Sequence, residues 1–517
     1  MPILRQSLLL SCATLLLAGC GSGTPRPNPR IEASTQRSPP FATVAIGPSE
    51  LSPETRVASP RLVDRHAELG LDFTYDNGAS GKALMVESTG GGGGWIDYDR
   101  DGWPDLCLVQ GGDPLSEIPH SAGDRVIRNI EGRRFVDVTD DARPPDHGYG
   151  QGLAVGDFDN DGFEDLLITN VGADVLWKNQ GDGTFRDITD ATGTGDPRWG
   201  ASAAWFDLDL DGDLDLFVCN YLHYDVHNPV PCRSSDGKPA ICHPESVPPE
   251  TSECYENLGD GSFRKVAREW GLLAPNGKSL GVAIADFNGD GLPDVFVSND
   301  TAANHLFVGA ERRRFAENAV VLGCAYNALG QYQANMGIAC NDYDRNGFLD
   351  LYVTTFTDDS NTLFANLGPA GSRDVTRTEG LHAPTIETLG FGTVMLDLNA
   401  DGHLDLLNAN GHIDDWRDKG DRWKMRPELL SYVGPNWTLH SPATAGEFFD
   451  QEHLGRAVST ADFDCDGDVD LLIVFQDRPA ALLVNESDRG NWLQIECSGR
   501  RSNRRGIGAR VTVVQGE

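Results

Sequence analysis

Asp157-Phe158-Asp159-Asn160-Asp161-Gly162-Phe163-Glu164-Asp165 sets carboxylates at positions 1, 3, 5 and 9 of a nine-residue stretch, with glycine at position 6. The pattern recurs, slightly varied, seven times between Asp97 and Asp470. The first copy is Asp97, Asp99, Asp101, Gly102 and Asp105, and the third is Asp207, Asp209, Asp211, Gly212 and Asp215. The fourth to sixth each carry one asparagine: Asp286, Asn288, Asp290, Gly291, Asp294; Asp342, Asp344, Asn346, Gly347, Asp350; Asp397, Asn399, Asp401, Gly402, Asp405. The seventh is Asp462, Asp464, Asp466, Gly467 and Asp470.

This spacing suits a hard cation. Ca²⁺ takes about six to eight oxygens at about 2.3–2.6 Å, and a loop supplies them when positions 1, 3 and 5 point inward and the chain then turns sharply. Glycine at position 6 permits the turn. A carbonyl at position 7 and the carboxylate at position 9 would complete the shell, so up to seven Ca²⁺ ions are expected. An EF-hand would close with Glu at position 12, but that position holds Leu108, Ile168, Val218, Val297, Val353, Asn408 and Ile473. The runs after position 9, such as Leu166-Leu-Ile168 and Val295-Phe-Val297, read instead as strands buried on both faces. Metal-free Asx turns explain a single loop of this kind, but not seven with one carboxylate spacing. Ligand charge helps set affinity, so the three loops with an asparagine are expected to bind more weakly.

Successive loops begin 60, 50, 79, 56, 55 and 65 residues apart, the repeat scale of propellers. Between loops a second phrase repeats: Leu176-Trp-Lys-Asn179-Gln-Gly181-Asp-Gly183-Thr-Phe185-Arg-Asp187 is echoed by Tyr255-Glu-Asn257-Leu-Gly259-Asp-Gly261-Ser-Phe263, with weaker versions at Arg128-Asn129 and at Leu363-Phe-Ala-Asn366. Its Gly-Asp-Gly favours a tight turn between antiparallel strands. One such small sheet cannot bury both faces alone, and radial packing of seven gives an all-β, seven-bladed β-propeller over residues 61–489. The ring must close. Arg61-Leu-Val-Asp64 resembles the repeat-ending phrases Phe135-Val-Asp137 and Phe185-Arg-Asp187, so residues 61–76 are expected to supply the outer strand of the last blade.

Charge is the outlier of the composition. The chain of 517 residues has 42 Lys and Arg against 78 Asp and Glu, a net charge of −36. Twenty-five of the acids are at the loop positions, and one divalent ion in each loop would bring the charge to −22. Such acidity excludes nucleic acid as a natural partner. Residues 1–20 read as an export signal: Arg5, an apolar run from Leu8 too short to span a bilayer, then Leu17-Ala-Gly-Cys20. That ending resembles the lipobox of bacterial lipoproteins, which implies lipidation of Cys20 and a membrane link through an N-terminal anchor alone. Residues 21–60, rich in Pro, Ser and Gly, read as a flexible tether.

The longest interval holds an insertion, residues 221–254, with Cys232, Cys242 and Cys254. Cys232 and Cys242 bracket a polar loop and suit a local disulfide in an exported protein. His223, His227 and His243 raise zinc as an alternative, but no spacing matches a standard zinc motif. Cys219 with Cys254, and Cys324 with Cys340, are further candidate pairs.

The loops resemble the FG-GAP or VCBS repeats of calcium-bearing propellers. Three further phrases resemble the cartilage-acidic-protein-like family with its ASPIC/UnbV carboxy-terminal domain: Gly90 to Gly94 before Trp95-Ile-Asp97, then Asn410-Gly-His-Ile413, and finally Asn491-Trp-Leu493 through Ile507-Gly-Ala-Arg-Val511. Residues 490–517 would then begin a small β domain that is cut short at Glu517. The resemblance implies a binding or adhesion scaffold for a protein or glycan at the cell surface, with calcium fixing loops on the rim of a rigid ring. It brings no catalytic residues. A propeller-borne polysaccharide lyase or glycosidase, or an envelope assembly factor, is the alternative. Asp414-Asp415 beside His412, and Glu447 near His453, are the carboxylates left for such chemistry. The cluster Arg500, Arg501, Arg504 and Arg505 reads as a solvated strand edge.

Overall fold

The computed structural model describes residues 60–116, 123–142, 146, 148–417, 420, 422–488 and 492–515, together with the backbone strands Arg5–Leu8 and Phe41–Ile46. Cys20, and the rest of the stretches read as signal and tether, lie outside the described residues. The two backbone strands flank Arg510–Gln515 in a three-stranded sheet of their own.

Seven antiparallel sheets make up the rest, each built on four strands in simple up-and-down order. Blade 1 is Gly93–Ile96, Asp105–Leu108, Arg125–Asn129 and Phe135–Asp137. Blade 2 is Gly150–Gly156, Asp165–Asn170, Val175–Asn179 and Phe185–Asp187. Blade 3 runs from Gly200–Phe206 and Asp215–Asn220 to Glu253–Asn257 and Phe263–Lys265. Blade 4 begins with Ser279–Ala285 and Asp294–Ala302, blade 5 with Ile338–Asn341 and Asp350–Val353, and blade 6 with Gly390–Leu396 and Asp405–Asn410. Blade 7 opens with Gly455–Ala461, Asp470–Phe475 and Ala481–Asn485.

The first strands of successive blades pack side by side, and that of blade 7 packs on that of blade 1, so the first strand is the inner one. The second strands are buried along their whole length save the last two residues of that in blade 4, as the apolar runs that open them require. No single core exists. A separate apolar cluster fills each of the seven interfaces, for example Trp95, Phe135 and Phe463 between blades 1 and 7, and Phe158, Trp205 and Tyr255 between blades 2 and 3.

The ring closes as the sequence predicts, with a shorter strand. Leu62–Asp64 pairs antiparallel with Ala481–Asn485 as the outer strand of blade 7. Leu62 is buried in the cluster between blades 6 and 7, and Arg65 pairs with Glu486 beside it. Residues beyond Asp64 leave the sheet, and Phe73 and Tyr75 turn into the interface between blades 7 and 1.

The insertion is pinned by the expected Cys232–Cys242 disulfide and by bridges at Leu222 with Pro249 and Arg233 with Pro239. Its last residues already belong to the third strand of blade 3. Cys219 and Cys254 are not joined; both are buried thiols in one apolar cluster. Cys324 and Cys340 likewise share a cluster as thiols.

Candidate metal centres at the blade loops

Each acidic stretch links the inner strand of its blade to the second, so the loops lie at the ends of the inner strands rather than on the outer rim. All seven have the same backbone. Position 4 adopts the left-handed conformation at Arg100, Asn160, Leu210, Gly289, Arg345, Ala400 and Cys465, although only one of these is glycine. Glycine at position 6 is left-handed as well, with φ of 89° at Gly102 and 106° at Gly212. Two left-handed residues in three coil the chain around the side chains of positions 1, 3 and 5.

Hydrogen bonds hold the coil. In the second loop the Gly162 N–H donates to Asp157 Oδ2 (2.9 Å) and the Phe163 N–H to Asp161 Oδ1 (2.9 Å). The bond to position 1 repeats in the other six loops, at 2.7 Å for Gly402 to Asp397 and 3.2 Å for Gly102 to Asp97. The aspartate at position 9 has a different task. Asp165 accepts from the Phe158 N–H with Oδ2 (3.2 Å) and from the Asn179 N–H of the third strand with Oδ1 (2.8 Å), tying loop to sheet. Asp105, Asp215, Asp350 and Asp470 repeat both bonds, as does Asp294 with Gly309 in place of asparagine, while Asp405 takes the Ser431 hydroxyl instead.

The asparagine of the repeated hairpin phrase, whose role the sequence reading missed, joins neighbouring blades. Asn179 Nδ2 donates to Glu164 O in its own loop (3.2 Å) and to Tyr98 O in the loop of blade 1 (2.8 Å). Asn129, Asn257, Asn366 and Asn485 make the same two bonds, each reaching the preceding blade. The recurrence of asparagine at one register was the available signal.

Three acidic oxygens lie within 4.8 Å of one another in five loops: Asp97, Asp99 and Asp101; Asp157, Asp159 and Asp165; Asp207, Asp209 and Asp215; Asp342, Asp344 and Asp350; Asp462, Asp464 and Asp470. The span fits one Ca²⁺, whose ligands on opposite sides are about 4.6–5.2 Å apart. The loops at Asp286 and Asp397 lack such an acidic trio because position 3 is Asn288 or Asn399. The donor set fits on a second ground. Asp97 Oδ1, Asp157 Oδ1 and Asp464 Oδ1 are buried without a hydrogen-bond donor, which is costly for a carboxylate unless a cation faces it. Burial, reinforced by neighbouring carboxylates, raises Asp97, Asp207, Asp462 and Asp464 to about 6, while burial takes Asp215 and Asp350 to about 8 and Asp105 to about 9.

The first three loops also hold cations of the chain itself. Arg128 Nη2 lies 2.6 Å from Asp99 and 3.0 Å from Asp101; Lys178 pairs with Asp159 and Asp161; Arg313 reaches Asp209 at 2.6 Å and Glu256 at 2.7 Å. Arg128 and Lys178 precede the joining asparagine, where blades 5 and 7 have Ala365 and Val484. Charge count therefore does not rank the loops by itself, since three of those with four acids are partly balanced already.

The other candidates do not assemble. His412 and Asp414 are bonded to each other locally, Asp415 pairs with Arg417, and Glu447 is exposed while His453 packs on Phe448 and Phe475. In the insertion His223 faces Glu250 and His243 accepts from the Glu245 N–H, and the disulfide removes both sulfurs as thiolate ligands.

Fold and loops together define a seven-bladed β-propeller, and part of it matches a known repeat family. The model of the FG-GAP-like repeat matches residues 97–168, 157–218 and 236–297. The chain is similar to cartilage acidic protein 1: 27% identical over 195 residues to the protein of Homo sapiens and 28% to that of Mus musculus, in each case over 35% of this chain. Those matches span 27% and 28% of the relatives' own length. Among solved structures, an Agrocybe aegerita lectin that recognises non-reducing terminal N-acetylglucosamine aligns at a TM-score of 0.38 with 15% identity, over 68% of this chain and 82% of the lectin. BBS1N in complex with ARL6DN aligns at 0.43 with 8% identity, over 81% and 98%. Among the described residues no helix is long and apolar enough to cross a membrane.

Proposed function

We propose that this chain is an exported, lipid-anchored, calcium-binding propeller that serves as a binding or adhesion scaffold for a protein or glycan at the bacterial cell envelope. The observation that carries the reading is the set of loops with one backbone, five of which bring three acidic oxygens within 4.8 Å of one another and three of which hold a buried carboxylate oxygen that no N–H or O–H reaches. Calcium, when bound, would neutralise those carboxylates and fix each loop's coil. Asp157, Asp159 and Asp165 would hold it in blade 2, with the equivalent residues in the other blades, and Asn288, Asn346 and Asn399 would serve as neutral ligands.

In this reading the loop aspartates serve as ligands and as backbone acceptors, and the ring needs no chemistry to present its loops. Elemental analysis with thermal melts in calcium and in chelator tests the sites. Asp157→Ala should lower the metal content by one equivalent and destabilise blade 2; an unchanged content would refute the ligand set. Loss of the protein from the membrane fraction in Cys20→Ala tests the anchor, and a glycan array beside a pull-down from envelopes separates the two partner classes.

A further inference from the structure

The segment that follows blade 7 does not stand clear of the ring. Trp492 lies against Gly467 in the seventh loop, where a Cβ would come within 2.4 Å of its ring. The Arg501 carbonyl sits 2.8 Å from the Cβ position of Gly212 in the third loop, Gly508 faces the Phe206 ring at the end of that blade's inner strand, and Ile507 packs into the clusters on either side of blade 3. The second loop is held most closely. The Arg504 N–H donates to Asn160 Oδ1 (2.8 Å), and its guanidinium lies beside Gly162, as does that of Arg100. Arg505 Nε lies 3.2 Å from Glu164 Oε1, while Glu164 Oε2 accepts the N–H of Asp97 in the first loop (3.2 Å). Glu164 is buried, with a side-chain exposure of 7%, so this is a charged contact largely withdrawn from water.

The segment is shaped for the contact. Gly499 N–H bonds to Arg504 O (3.0 Å), and the buried Asn503 side chain bonds both the N–H and the carbonyl of Ile507 (2.7 and 2.8 Å). A closed turn thus presents two adjacent arginines. Of the cluster expected to be a solvated strand edge, Arg500 and Arg501 are exposed, whereas Arg504 and Arg505 are internal ligands of the acidic loop face.

We propose that residues 499–508 are a built-in arginine latch on the loops of blades 1 to 3, seated through Glu164 and Asn160, and released when the second loop loses its coil, which uncovers an acidic surface suited to guanidinium groups. The latch contacts stand on the geometry alone; the dependence on the second loop's ion rests on the calcium reading above. Asn160 is the left-handed residue of that loop, so its Oδ1 keeps its place only while the coil holds.

Limited trypsin digestion of the full chain in calcium, with mass spectrometry of cleavage after Arg501 and Arg504, tests this. Glu164→Gln keeps an acceptor for the Asp97 N–H and removes the charge, and Arg505→Gln perturbs the segment without touching the ring. Each should speed cleavage by about tenfold, the scale at which one charge-assisted hydrogen bond shifts an equilibrium. Wild-type rates in both variants, with the melting of the ring intact, would overturn the latch. Asp157→Asn should release the segment while Asp342→Asn, in blade 5, should not; equal protection in the two would overturn the coupling. Metal content measured on the same samples separates that failure from a failure of the calcium reading, since a chain that holds no calcium in the wild type would still show the Glu164 and Arg505 effects if the latch is real.

Discussion

Asn179→Ala removes a side chain that joins blade 2 to blade 1 and also holds its own loop and turn. The residue is fully buried; Nδ2 donates to Tyr98 O and Glu164 O, and Oδ1 accepts from the Gly181 N–H (2.9 Å). Alanine leaves two carbonyls of buried residues without donors, each costing about 1–1.5 kcal/mol, and loses one bond at the turn worth about 0.5–1 kcal/mol, for a total of about 3 kcal/mol. Asn179→Asp nearly keeps the shape but points a carboxylate oxygen at the same two carbonyls, so it should cost more than alanine in spite of its larger size. Equilibrium urea unfolding at fixed calcium, followed by tryptophan fluorescence, reads both, and Trp177 in the same strand lies at the affected interface. Gln180→Ala, at the neighbouring exposed position, is the control and should stay near wild type. A loss under about 1 kcal/mol for Asn179→Ala, or a milder effect for the aspartate, would refute the joining role.

Deletion of residues 61–76 should lower the melting temperature by many degrees, because it removes an edge strand, the buried Leu62 and the Phe73 and Tyr75 rings at the closing interface; unchanged melting would exclude closure by this strand. In chelator, stability should fall as pH rises from about 5 to 9. Burial raises the folded-state values of Asp97 and Asp207 to about 6 and of Asp105 to about 9, above the unfolded value of about 3.9, so the folded chain binds more protons across that window. Saturating calcium should flatten this dependence, and equal slopes in the two buffers would argue against ion binding by these groups. Arg128→Gln should tighten calcium binding in the first loop, since it withdraws a cation from Asp99 and Asp101; isothermal titration showing weaker or unchanged binding would mean the arginine does not compete with the ion.

The sequence by itself determined the number of blades, the strand that follows each loop and the outer strand that closes the ring. It could do so because these depend on local regularities: a turn chemistry repeated seven times, apolar runs bounded by glycine, and a closing phrase that matches the repeat endings. The Cys232–Cys242 pair was legible for the same reason, being a short loop. Tertiary structure decided what side chains distant in sequence do to one another. Asn179 reads as a turn residue until Tyr98 of another blade is placed beside it, and Arg128 as a strand residue until it lands on Asp99. Arg505 looked like solvated charge because its partner Glu164 lies more than three hundred residues away in the chain. Local pattern fixes the repeat, whereas long-range electrostatics and interblade hydrogen bonds depend on how the ring brings the repeats together.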